Sequence, residues 1–154
     1  MSSISQQIQG TLEAEWGLAG TLAPTEMHFS VGWYDSEFQN NPQVSVRKAW
    51  TPEPRWFMPA AVGGVLGYLS FPRYFVDCWL VPDRDVLGES EYETVEDMMF
   101  ECFRILNLKR LDFTAPLGLV IPLDHGEMMS EFNVQPRILH IQMLVQANIR
   151  SGTC

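Results

Sequence analysis

The last stretch of the chain, Arg137 to Arg150, constrains the fold more than any other segment. Leu139, Ile141, Met143, Val145, Ala147 and Ile149 are apolar, while His140, Gln142, Gln146 and Asn148 stand polar between them, joined on their side by Leu144. A side-chain period of two held this long dictates a strand with one buried and one wet face. At roughly 3.3 Å per residue it would span about 40 Å, more than most globular strands. The wet face carries uncharged amides, which catalyse poorly but suit a packed protein interface or a lumen wall. A chain organised around such a strand points to a structural or assembly role.

The other elements follow from the same periodicities. Ile4, Ile8, Leu12 and Trp16 recur every fourth residue, with Ser2, Ser3 or Ser5 as caps and Gly17 as the stop, predicting a short amphipathic helix. Met27, Phe29, Val31 and Trp33 alternate with polar or small residues in a strand. After a turn over Asp35 to Pro42, Val44, Val46 and Trp50 mark a second strand. Arg73 to Val81 is apolar on both faces and reads as a central strand. Thr94 to Asp97 has the spacing of a capping box and predicts the start of a second helix. That helix carries a stripe of Val95, Met98, Met99, Cys102, Ile105 and Leu106. Leu117 to Pro122 reads as a short strand and Leu123 to Pro136 as a loop. The expected fold is therefore α+β: a single domain over residues 1–154, with a mostly antiparallel twisted sheet of about four or five strands backed by two helices.

Residues 51–72 interrupt this pattern. TPEPRWFMP excludes a helix or a central strand, because prolines remove backbone donors and fix φ. AAVGGVLGYLSFP follows, rich in glycine and apolar side chains, and too apolar for a disordered linker. A long Pro/Gly-rich loop or hairpin protruding from the domain is expected here, with the sheet and both helices lying outside it. Trp56, Phe57, Met58, Val62, Leu66, Tyr68 and Leu69 are its expected contacts with a neighbouring subunit or partner protein.

Charge and composition narrow the function. Hydrophobic residues make up 46% of the chain and charged ones 19%, below the roughly 25% usual for soluble proteins. Such a surface implies apolar area covered by a partner. The net charge of −9 argues against nucleic acid as a ligand, since phosphate binding needs clustered Lys and Arg. Arg47, Lys48, Arg55 and Arg73 lie near the excursion in sequence and read as scattered surface charge, or else as a contact for an acidic neighbour. Cys78 and Cys102 fall in apolar stripes and read as small buried hydrophobes, and Cys154 is terminal. A reducing compartment fits these three cysteines. The N-terminus lacks the pattern of a secretion signal, and no stretch has the apolar length of a membrane span. The expectation is a soluble protein made in the cytoplasm.

Chemistry is sparse. Asp124-His125-Gly126-Glu127 is the densest polar cluster, and a metal there would need His28 or His140 as a further ligand. It reads as a turn. A Cys-His nucleophile pair from Cys78 or Cys102 with His140 is disfavoured by the apolar setting of both thiols. Val62 to Gly67 lacks the spacing of a phosphate loop. No catalytic residue, metal or cofactor is expected.

The strand YFVDCWLVP, the helix ETVEDMMFECFRIL after an acidic loop, and the closing strand RILHIQMLVQANI together resemble the tail-terminator and tail-completion (neck) proteins of tailed phages. Ile4 to Trp16 and Met27 to Trp50 resemble the same family in element order. The resemblance implies a homo-oligomeric, hexameric ring at the head–tail junction of the virion, capping the tail tube. Its partners would be the tail tube protein and the head–tail connector proteins, with no sequence-specific nucleic acid and no membrane. An acidic subunit suits a ring through which DNA passes without being gripped. The alternative is a small α+β enzyme or ligand-binding domain with a pocket under Trp33, Trp50, Trp56 and Trp79.

Overall fold

The computed structural model describes residues 3–20, 22–49, 55–57, 68–81, 89–113, 117–129 and 138–151, with the backbone alone at 55–57, 68–69, 117–118 and 150–151. Helix α1 (Ile4–Glu15) starts from a capping box. The Ser3 hydroxyl accepts the Gln6 amide, and the Gln6 side chain accepts the Ser3 amide. Gly17, at φ 75°, ends it as the stop residue expected of a helix C-terminus. Strand β1 (His28–Val31), a 3-10 turn at Ser36–Phe38 and strand β2 (Gln43–Lys48) follow. Next come β3 (Arg55–Phe57), β4 (Tyr68–Ser70), β5 (Arg73–Leu80), helix α2 (Glu89–Leu108), β6 (Leu117–Pro122), β7 (Glu127–Met129) and β8 (Leu139–Ser151).

The eight strands among the described residues form one sheet organised around β8. Along one edge of β8 run β5, pairing over 139–146, and then β4, pairing over 149–151. Along the other edge run β6 and β7. Beyond β5 and β4 lie β2 and β3 respectively, again in one direction. Three lanes of the sheet are therefore each spliced from two pieces, and among the described residues the α+β sheet has five lanes: β1, β2/β3, β4/β5, β8 and β6/β7. The long final strand is the fourth of these lanes, interior to the layer with partners along both of its backbone edges.

Two sequence expectations are corrected by this register. Leu123 to Pro136 is not simply loop, since Glu127–Met129 pairs with β8. The sheet does not lie wholly outside 51–72 either, because β3 pairs with β4 and β4 with β8.

The β1/β2 pair is parallel, although its connection is short for a crossover. The fully buried Gln43 holds that connection in place. Its Nε2 donates to the carbonyls of Asp35 and Phe38 at 2.8 and 3.1 Å, and its Oε1 accepts the Asp35 amide. Gly32, at φ 116°, turns the chain out of β1.

One sheet face carries the core. Val44, Val46, Tyr74, Val76, Cys78, Val120, Ile141, Met143, Val145 and Ala147 pack beneath Ile8 and Leu12 of α1 and the α2 stripe. Burying each large aliphatic side chain contributes about 1.5–3 kcal/mol, which fixes the strand register because a one-residue slip would turn this face to water. Helix α2 begins at Glu89, earlier than the Thr94–Asp97 box predicted. Glu89 and Glu91 supply negative charge to its first turn, and the Thr94 hydroxyl donates back to the Ser90 carbonyl at 2.7 Å instead of capping. No helix among the described residues is long and apolar enough to cross a membrane.

Candidate interface surfaces

The sheet face away from the core holds a polar and aromatic cluster. Register sets Ser45 beside Asp77, Asp77 beside Gln142, and Trp79 beside His140. The Asp77 carboxylate, fully buried, faces His140 Nε2 at 2.5 Å, Gln142 Nε2 at 3.2 Å and Arg47 Nε at 3.1 Å. Trp79 stacks on His140 with ring centroids 3.6 Å apart, and its Nε1 donates to Ser45 Oγ at 2.9 Å. Trp33 closes the cluster edge-on to Trp79, with the Arg47 guanidinium 4.6 Å from its ring centroid. The buried carboxyl group is tolerated out of water because guanidinium, imidazole and amide groups surround it.

This cluster was only partly legible in the sequence. Asp77 sits in a strand read as apolar on both faces, and an acid there is the signal that partners must converge on it. Trp33 and Trp79, two of the tryptophans expected to roof a pocket, pack against each other and His140, leaving Trp79 2% exposed. Trp50 lies outside the described residues, and Trp56 is described only as backbone of β3.

The two central cysteines meet on the core side. Cys78 and Cys102 are both buried, with Sγ atoms 3.7 Å apart. Burial, and then the hydrogen bond with Cys102, push the Cys78 thiol well above its ordinary pKa. Strand alternation puts His140 on the other face of the sheet, so the imagined thiolate–imidazole pair does not form.

Asp124-His125-Gly126-Glu127 is the splice between β6 and β7. Asp124 Oδ1 accepts the Gly126 amide at 2.9 Å and the Leu144 amide at 3.2 Å, the latter a β8 donor in the gap between the two pieces. Gly126 has φ 93°, and a Cβ there would fall 2.7 Å from Met99 Cγ and 2.8 Å from Ile141 Cγ2. His125 is exposed and rests against Phe103. Among the described residues no group of three His, Cys, Asp or Glu side chains is placed to hold a metal ion.

Part of the outward side of α2 is apolar where water should favour polar residues. Phe100 is 65% exposed and Leu108 63%, and Leu22, from the chain between α1 and β1, is 89% exposed. These three line an open groove of about 700 Å³ together with Gly20, Phe103 and the polar edge of Asp97, Glu101 and Arg104. Glu101 and Arg104 neutralise each other, and Glu101 also accepts the Gly17 amide, tying the groove's two walls together. The Arg104 guanidinium is held above its usual pKa by that hydrogen bond to Glu101. Sequence reading missed this surface because it followed the buried stripe of α2.

Of the residues expected to contact a partner, Met58, Val62 and Leu66 lie outside the described residues. Trp56 and Phe57 stand in β3, where their Cα atoms pair with Leu69 and Tyr68 of β4.

No protein-family model matches the chain, and no curated protein matches it. A solved chain from the virion of a native gene transfer agent particle is similar to it, with a TM-score of 0.58 and 13% sequence identity. The likeness covers 97% of this chain and 96% of that one.

Proposed function

We propose that this chain is a structural subunit of a phage-like virion, a non-enzymatic assembly protein of the tail-terminator type. Coverage of nearly the whole of both chains in the likeness to a virion chain carries the reading. Exposed apolar residues on α2 support it, because a patch of this kind in an otherwise folded chain calls for a protein partner.

In this reading the subunit forms a homo-oligomeric ring, six-membered as in the family it resembles, at the head–tail junction. The ring caps the tail tube and joins it to the connector. Trp56, Phe57, Met58, Val62, Leu66, Tyr68 and Leu69 supply contacts to the tube or to the next subunit. The net charge of −9 keeps the DNA path non-adhesive.

The test is to add the purified chain to polymerising tail tube protein and image the products by negative stain. Tubes of limited length bearing a ring at one end are expected. Tubes of unchanged length with bare ends would overturn the terminator role.

A further inference from the structure

We infer that the α2 groove of one copy docks on the sheet of a second copy, on the face turned away from both helices, where Arg47, Phe75 and Leu144 stand in a row. This contact rests on the ring reading above and names the two surfaces that make the ring. Register sets Arg47 beside Phe75 and Phe75 beside Leu144, across β2, β5 and β8. Phe75 and Leu144 are half-buried. Both helices pack on the other side of the layer, so among the described residues no helix covers this row.

Arg47 is held ready for a partner. Its guanidinium lies between two rings, 4.6 Å from the centroid of Trp33 and 4.4 Å from that of Phe75, and its Nε donates to Asp77. The side chain is thus fixed, while its Nη groups make no hydrogen bond among the described residues. Arg73, two residues before Phe75 on the same face, is exposed and has no acidic partner among the described residues. The bare sheet face is therefore aromatic and basic.

The groove supplies what this face lacks. Exposed Phe100 shares the outward side of α2 with Glu93, Glu96 and Asp97, which stand at helical spacing before it. None of the three acids has a basic partner among the described residues. Glu96 lies one turn before Phe100, about 6 Å along the helix axis. Arg73 precedes Phe75 by about 7 Å along its strand. The acid-to-ring spacing of the helix matches the base-to-ring spacing of the strand.

One copy cannot make this contact with itself, because its groove and its bare sheet face lie on opposite sides of the same layer. A second copy satisfies both at once, since a helix is the usual cover for a sheet face and the acids then meet the bases. Contact between two different surfaces is head-to-tail, and it closes into a ring when its rotation allows. Aromatic and arginine anchors at its centre supply the affinity.

The experiment uses the full chain with Phe100→p-benzoylphenylalanine, a photo-reactive analogue of the native ring. Irradiation is expected to give covalent pairs of chains, with the attachment mapped by mass spectrometry to residues 73–77 or 142–146 of the second copy. Attachment elsewhere on that copy, or no covalent pairs from an assembled sample, overturns the inference and leaves the ring reading standing. Two charge-reversed variants, Glu93→Lys with Glu96→Lys and Arg73→Glu alone, are compared with the parent by light scattering on a sizing column. Each by itself is expected to assemble at least tenfold more weakly, with circular dichroism unchanged. Their equimolar mixture is expected to recover, because every contact in an alternating ring is then the native pair or its reversal. Variants that assemble as the parent does, or a mixture that stays weak, overturn the inference. A parent that is monomeric throughout overturns the ring reading together with it.

Discussion

His140 Nε2 lies 2.5 Å from Asp77 Oδ1, and both side chains are essentially removed from water. They come from neighbouring strands whose register sets Trp79, not Asp77, directly opposite His140, so the contact is diagonal. Arg47 closes on the other carboxylate oxygen at 3.1 Å.

Removing the acid from this cluster should be costly. Asp77→Ala would leave Arg47 and His140 without their shared acceptor, and breaking a buried pair in this way typically costs about 3–5 kcal/mol. Urea denaturation followed by tryptophan fluorescence measures it. His140→Ala should cost less, because the partly exposed Arg47 still neutralises the acid.

Gly126 and His125 should behave oppositely although they are adjacent. Gly126→Ala forces a side chain into left-handed backbone and against Met99 and Ile141, so a loss of about 1–3 kcal/mol is expected. His125→Ala removes an exposed ring resting on Phe103 and should stay within about 0.5 kcal/mol. Thermal melts of the two variants check the contrast.

The fold was legible wherever a single face of an element was uniform. The β8 alternation, the α2 stripe and the α1 cap each announced themselves, and the resulting α+β layer is the one found. What escaped were features decided by tertiary partners. Gln43, at the start of β2, makes a parallel pair feasible by bonding the connection before it, Asp77 finds its donors on two other strands, and Asp124 satisfies a β8 amide. None of these has a local period. The start of α2 was misplaced because Thr94 and Asp97 mimic a cap, while the true first turn takes its charge from Glu89 and Glu91. The exposed groove was invisible for a simpler reason: Phe100 and Leu108 are ordinary helix residues until their exposure is known.

Stability should fall on the alkaline side in a manner traceable to Cys78. Its folded pKa is raised well above 9.0, so between the unfolded and folded values the native state holds a proton that the unfolded chain has lost. Stability is then full below about pH 8.5, the unfolded thiol range, and declines as pH rises, with a slope of up to about 1.4 kcal/mol per pH unit. Cys78→Ala should flatten that slope in denaturation curves taken between about pH 8.5 and 10.5, even though the variant is less stable at neutral pH.

Association should depend on residues 51–72 while the monomer does not depend on their centre. Trp56→Ala is expected to weaken assembly by about 2 kcal/mol or more, as truncating an aromatic anchor commonly does. Replacing residues 58–67 by a short linker preserves the β3 and β4 ladders, and should keep circular dichroism unchanged while assembly is lost. A larger deletion reaching Phe71 would remove β4 and damage the sheet itself.

The central claim, that this chain is a self-assembling virion subunit, is tested most directly by native mass spectrometry of the purified full-length protein. The account predicts a closed oligomer at about six times the 17.6 kDa subunit mass, persisting on dilution. A single species at 17.6 kDa across the whole concentration range would contradict it.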